Sequence, residues 1–355
     1  MFNVLLDMGK LKNPYSGLGQ FSYYYGKHIL KIENEKLHFN FLVPKSQTGI
    51  FGKDYAYEKT SLQRRILPSL CRKYDLWHAL HQDSSYLPTD STSPYILTIH
   101  DLNFLEEKSP FKARRRLKSL QKKVDRASAI TFISNYTANI SKGNLNLEGK
   151  ITHIIYNGVY IESDKEVLKP VYIPDGKYLL ALGMVLKKKN FHVLIDFIER
   201  ISDYKLVIAG DISSQYAKMI IEIITKRRLQ NKVILPGIVS EDDKIYLYKN
   251  CSGFLFPSRI EGFGLPVIEA MRFGKPVFIS NKASLPEIGG DLAYYWNNFD
   301  PDHMATIFNS KIQEYEENED YLKNKIIEYS KLYDWKKSIR QYYNLYLEVL
   351  NNHYQ

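Results

Sequence analysis

The segment PSRIEGFGLPVIEAM, residues 257–271, joins a short apolar run, GFLFP (253–257), to an amphipathic stretch through a turn carrying Gly262 and Gly264. A β-branched or aromatic run that breaks at glycine and resumes at helical spacing is the strand–loop–helix unit of a parallel α/β sheet. In such a sheet the loop leaves the carboxyl end of the strand, where ligand crevices open. Two carboxylates frame the turn, Glu261 just before the glycines and Glu269 inside the expected helix. With the helix beginning at Gly264 or Leu265, the backbone N–H groups of Gly262, Phe263 and Gly264 and the positive end of the dipole are expected to face the crevice, which suits an anion or a hydroxyl. A carboxylate accepts two hydrogen bonds at once and so suits vicinal hydroxyls of a sugar or ribose. Taken as an arbitrary pair, the same residues also read as a helix cap and a surface charge.

Outward from this segment the same unit repeats. Strand candidates in the second half are YLLALG (178–183), KLVIAG (205–210), KVILPG (232–237), GFLFP and PVFIS (276–280); in the first half they are FNVLLD (2–7), LHFNFLV (37–43), YILTI (95–99), AITFIS (129–134) and ITHIIY (151–156). Near-continuous apolar strands of this kind belong to sheets covered on both faces. Phe191, Leu194, Ile195 and Ile198 fall on one helical face and predict core packing. The stretch 161–177 interrupts both periodicities with charges and prolines, which places the linker there and the lobe boundary near residue 165. Spacing at Ile339, Tyr342 or Tyr343, Tyr346 and Val349 predicts a C-terminal helix. At 355 residues and 44% apolar content the chain is long enough for two cores.

Cys71 and Cys251 are too few for a disulfide framework and lack metal-ligand spacing, which fits a reducing compartment. MFNVLLDMG has neither the basic leader nor the long apolar core of a signal peptide, and no run of eighteen apolar residues suggests a membrane span. A cytoplasmic chain, docked peripherally at most, is expected. The net charge of +10 is unevenly spread: residues 1–160 hold 23 of the 49 basic and 13 of the 39 acidic residues, leaving 26 of each for 161–355. Such asymmetry points the first half toward something anionic.

The 257–271 segment resembles the Glu, seven residues, Glu signature of family 4 retaining glycosyltransferases, which have the two-Rossmann-domain GT-B fold. The resemblance covers nearly the whole chain in order: a glycine loop after the first strand, TIHDLNF (98–104), FISNYT (132–137), IIYNGV (154–159), LGMVLKKKN (182–190), VIAGD (207–211), LPGIVSEDD (235–243) and ASLPEIGGD (283–291). It implies an α/β fold with two parallel sheets facing a central cleft: an acceptor-binding domain at 1–165, a nucleotide-sugar domain at 166–335, and a terminal helix at 336–355 packing back toward the first domain.

Carried over by position, the resemblance implies that Glu261 contacts the donor sugar and Glu269 the ribose hydroxyls, with Gly262, Phe263, Gly264 and Leu265 lining sugar and diphosphate. Gly17 and Gly19 in NPYSGLGQF (13–21), Gly183, and Ile238 complete the donor set. Lys189 follows a strand that ends at Gly183 and can place a charge on the departing diphosphate. Met184 stands where many members carry arginine; Lys187, Lys188 and Arg259 are candidate substitutes. His100, at the carboxyl end of YILTI, is expected beside the donor sugar. His78 and His81 have three-residue spacing but no third ligand or carboxylate partner, which is insufficient for a metal; acceptor contact and plain structure both remain open for them. The implied reaction is retaining and needs no metal or other cofactor: the departing phosphate oxygen takes the acceptor proton through an oxocarbenium-like transition state, so catalysis is positioning plus charge stabilisation.

The run 108–127 is cationic and amphipathic, and 61–73 has the same character, which suggests docking on anionic lipid; together with the family resemblance this implies a lipid-linked saccharide acceptor in cell-surface polysaccharide assembly. A two-Rossmann phosphorylase or nucleotide-sugar epimerase would share the crevice. A nucleic-acid-binding protein, the rival from another class, leaves the Glu261–Glu269 segment unexplained, and no nucleic-acid partner is expected.

Overall fold

The computed structural model describes every residue except 15, 34, 68–71, 89–91, 174 and 355. Cys71 and residues 68–71 of the second basic run therefore lie outside the described residues. Contacts divide the chain into two compact units, one formed by Met1–Gly158 with Tyr333–Gln355 and the other by Val159–Leu332.

The first unit is built on β1 (Phe2–Asp7), β2 (Leu37–Val43), β3 (Ala56–Lys59), β4 (Leu76–Ala79), β5 (Tyr95–Ile99), β6 (Ala129–Phe132) and β7 (Ile151–Ile154). They form one parallel sheet in the order β3-β2-β1-β4-β5-β6-β7. The second unit holds β8 (Tyr178–Leu182), β9 (Lys205–Ala209), β10 (Val233–Gly237), β11 (Gly253–Phe256), β12 (Val277–Ser280) and β13 (Tyr294–Trp296), parallel throughout in the order β10-β9-β8-β11-β12-β13. In both sheets the order reverses beside the first strand, between β1 and β4 and between β8 and β11. At such a reversal the connecting loops diverge to opposite faces and leave a crevice at the strands' carboxyl ends.

The helix Trp335–Tyr354 belongs to the first unit and buries Trp335, Ile339, Tyr342, Tyr346, Val349 and Leu350. A chain of polar groups fastens it there. The Tyr346 hydroxyl contacts the Tyr25 hydroxyl and lies 2.6 Å from His78 Nδ1. His78 Nε2 in turn lies 2.8 Å from Thr98 Oγ1, which is 2.7 Å from Thr131 Oγ1. Every member is buried, so each hydrogen bond meets a desolvation cost that water no longer offsets. His78 is thereby accounted for as a structural residue of β4.

The amphipathic run 108–127 forms the helix Pro110–Arg126. Its apolar side is occupied: Ala113, Leu120 and Val124 are buried in the first unit's core, and Leu117 packs against it. What remains outward is cationic, with Lys112, Arg114, Arg115, Lys118 and Lys122 exposed and Phe111 78% exposed at the helix start. Among the described residues no helix is long and apolar enough to cross a membrane.

Candidate active site

The second unit presents its chemistry on the loops that leave β8 and β11. Gly183, Gly210 and Gly237 follow or close three neighbouring strands with positive φ, at 143°, 142° and 81°. At Gly210 the requirement is also steric, because a Cβ there would stand 2.0 Å from the Gly183 carbonyl oxygen. The backbones can approach this closely only without a side chain.

Beyond Gly183 the chain makes a short 3₁₀ turn, Lys187–Lys189, which Asn190 ends in the left-handed region at φ 61°. This returns the Lys189 side chain toward β11. Its ammonium lies 4.5 Å from the Phe256 ring centroid and contacts the Glu261 carboxylate. The side chains are only 12% and 18% exposed. Arg259 N donates to the Lys188 carbonyl at 2.8 Å, so the two loops are also tied through their backbones. Lys187 and Arg259 point outward, Met184 is 40% exposed and Ile238 65% exposed.

Three buried serines hold the turn before the helix Leu265–Arg272. Ser284 Oγ lies 3.0 Å from the carbonyl oxygens of both Glu261 and Phe263, Ser280 donates to the Ser258 carbonyl, and Ser258 Oγ lies 3.2 Å from the Ile260 carbonyl. Gly264 precedes the helix at φ 109°, with no side-chain cap on the helix start. Gly262 and Phe263 are buried, and Leu265 is half-buried. In the helix, Glu269 accepts from the Tyr248 hydroxyl at 2.8 Å through Oε2, while Lys244 Nζ stands 3.6 Å from Oε1. Thus Gly183, Lys189, Glu261, Gly262, Phe263, Gly264, Leu265 and Glu269 gather at the β8 and β11 ends. Ile238 follows β10. Tyr248, Lys244 and the three serines escape sequence reading because each acts across elements, with no local spacing to mark it.

Gly17, Gly19 and His100 lie in the first unit. Ser16 caps the helix Gly17–Ile29, its Oγ accepting from Gly19 N at 3.1 Å. There is open space around Gly17, whereas a Cβ on Gly19 would stand 2.0 Å from the Asn13 carbonyl oxygen. Tyr15 of this loop is outside the described residues. His100 is buried at the end of β5. Its backbone N donates to Gln82 Oε1 at 3.0 Å, and Nε2 lies 2.8 Å from the Leu80 carbonyl. A carbonyl only accepts, so Nε2 carries the hydrogen. Burial pushes the imidazole pKa down to about 4, leaving a neutral ring with a lone pair on Nδ1. His81 is likewise driven well below the usual range by burial, and its Nδ1 accepts from Asp83 N at 2.9 Å. Its Nδ1 is 3.9 Å from the Asp83 carboxylate, but a neutral ring makes no ion pair. Among the described residues no group of three or more His, Cys, Asp or Glu could hold a metal ion.

Residues 164–332 match the family described as glycosyl transferases group 1. An uncharacterized glycosyltransferase of Methanocaldococcus jannaschii is 31% identical over 265 residues, 72% of this chain and 69% of that protein. The O-antigen chain mannosyltransferase B of Escherichia coli is 25% identical over 347 residues, 88% of this chain and 91% of that one. The chain also matches Escherichia coli serotype-specific mannosyltransferases at 32% identity over 173 residues, 46% of this chain but only about a fifth of their length. Anabaena HepE, solved with UDP and glucose, superposes with a TM-score of 0.75 at 18% identity over 98% of this chain and all of that one. The strand orders, the solved structure and the relatives agree: this chain has the GT-B fold and belongs to the group 1 glycosyl transferases.

Proposed function

We propose that the protein is a retaining, metal-independent glycosyltransferase that moves a hexose from a nucleotide-diphosphate sugar to a saccharide acceptor. The observation that supports this most is the pairing of Lys189 with Glu261 on adjoining loops at the β8 and β11 ends. An ammonium that can serve a diphosphate and a carboxylate that can grip sugar hydroxyls flank the same place, within reach of a helix start that favours anions. In this reading the bond between the anomeric carbon and the diphosphate oxygen breaks as Lys189 stabilises the leaving charge. The departing oxygen takes the acceptor hydroxyl's proton, and the new bond forms on the vacated face. Glu269 holds the ribose, and Nδ1 of His100 accepts from a sugar hydroxyl.

The relatives' printed activities favour mannose as the sugar, and HepE's complex favours a nucleoside diphosphate as the leaving group. Incubation with GDP-mannose, UDP-glucose and ADP-glucose, with and without oligosaccharide acceptors, tests the proposal. Nucleoside diphosphate release that requires acceptor is expected, with the anomeric configuration of the donor kept and chelator without effect. Phosphate-dependent release of sugar phosphate, or conversion of the donor alone, would favour the phosphorylase or epimerase reading.

For the acceptor we propose a lipid-linked saccharide reached from an anionic membrane surface. Support comes from the cationic outer side of Pro110–Arg126, the exposed Phe111, and Leu62 and Ile66 of the second basic run, 68% and 65% exposed. Sedimentation with anionic liposomes at low salt, lost on charge reversal at Arg115, Lys118 and Lys122, is the expected result. No binding at low salt would remove this part of the proposal.

A further inference from the structure

Glu269 is the more constrained of the two carboxylates, and the constraint comes from another element. The helix Glu241–Asn250 lies between β10 and β11 in sequence and carries both Lys244 and Tyr248. Tyr248 is fully buried, stacked on Phe273 with centroids 5.7 Å apart and tilted on Phe254 at 5.6 Å. Its ring is held by these two contacts. Its hydroxyl lies 2.8 Å from Glu269 Oε2 and 3.3 Å from the Pro266 carbonyl. One proton cannot serve both fully, and the nearer, charged oxygen takes it. Burial and the neighbouring carboxylate hold the phenol well above its ordinary pKa, so the hydroxyl remains a donor at every physiological pH.

A carboxylate on a flexible side chain ordinarily rotates about its last torsion. Here Oε2 is fixed from the interior by Tyr248, and Oε1 lies 3.6 Å from the Lys244 ammonium, a weaker charge contact because that ammonium also pairs with Glu241 Oε2 at 2.9 Å. Only the carboxylate's remaining lone pairs are left for a ligand, in one plane. Two fixed acceptors match two vicinal hydroxyls; one rotating acceptor does not, because the ordering would have to be supplied at binding.

We propose that Tyr248, assisted by Lys244, is a positioning residue that holds the Glu269 carboxylate in the plane needed to grip the two ribose hydroxyls of the nucleotide. The inference rests on the donor-site reading above. It makes Tyr248 a determinant of selectivity for ribonucleotides over 2′-deoxyribonucleotides, although its hydroxyl is directed at Glu269 and the Pro266 carbonyl.

Calorimetric titration of the full chain with uridine, guanosine and adenosine diphosphates, and with the 2′-deoxy form of whichever binds, reads this directly. Tyr248→Phe keeps the ring's volume. It is expected to weaken the ribose form about tenfold, the size of one hydrogen bond to a charged group, and to leave the 2′-deoxy form unchanged. Lys244→Met should move the same ratio in the same direction, and Glu269→Gln should abolish the contrast. Equal weakening of both forms by Tyr248→Phe would show a merely structural tyrosine and overturn the proposal. So would a ribose-to-deoxy ratio that survives both helix variants while Glu269→Gln erases it, and this outcome leaves the donor site standing. Failure of the unaltered protein to bind any of the three diphosphates would remove the donor-site reading and this inference together.

Discussion

Lys189 and Glu261 neutralise one another across two loops, and each is the other's charged contact in a largely buried setting. A donor that engages both must part them. Glu261→Gln should therefore retain or improve affinity for a nucleoside diphosphate, since the ammonium is released, while transfer falls about 10²–10³-fold. Lys189→Met should lower both, because the cation itself is gone. Diphosphate affinity by calorimetry and turnover by diphosphate release separate the two variants; parallel losses in both would contradict the exchange of partners.

Gly210→Ala places a methyl group against the Gly183 carbonyl in a backbone region that side chains rarely adopt. A loss of at least about 1–3 kcal/mol is expected, read as a lower denaturation midpoint. Gly143, in the helix Asn135–Asn144, has open space and no such φ. There alanine should stabilise by about 0.5–1 kcal/mol.

The buried histidines set the direction of the pH dependence. Burial depresses His100 to about 4 and His78 to about 3, below the ordinary value of about 6.5. The unfolded chain therefore takes up protons that the folded chain refuses. Stability is fully present above about pH 6.5 and declines as pH falls toward 4, by on the order of 3 kcal/mol for His100 alone. Denaturation midpoints across pH 7 to 4.5 should fall steadily, and less steeply in His100→Gln. In transfer assays, His100 should add no acid limb near pH 6.5.

Tyr346→Phe removes one hydroxyl from the chain that joins Tyr25, His78, Thr98 and Thr131. Two buried groups lose a partner, at a cost of about 1–3 kcal/mol. The half-exposed Tyr343 is the control, and its phenylalanine variant should stay within about 0.5 kcal/mol of the parent.

β1, β2 and β5 were legible to their end residues because their side chains are apolar with few breaks. YLLALG and KLVIAG were read one residue long, since Gly183 and Gly210 already turn away, whereas β10 keeps Gly237 and starts one residue later than read. β4 was invisible: LWHA is short, and His78 made it look like chemistry when tertiary partners make it core. β3, half-exposed at the sheet edge with Glu58 and Lys59, had no apolar signal. The basic amphipathic run was legible as a helix, but its apolar stripe reads identically whether it faces lipid or its own sheet; Leu120 and Val124 face the sheet's core. At the site, Glu261 and Glu269 stood out by spacing along one segment. Their partners Lys189 and Tyr248 are 72 and 21 residues away from them, and for Tyr248 no pattern along the chain marks such a pairing.

The first unit takes up the chain at Met1, gives it away after Gly158 and receives it again at Tyr333. During synthesis, residues 159–332 can close their core as soon as they emerge. The first 158 must wait, with the places for Trp335, Tyr342 and Tyr346 unfilled, until the ribosome has passed residue 350. The part made first is finished last: its seven strands are all present by Ile154, but the apolar places of the terminal helix stay open until that helix arrives.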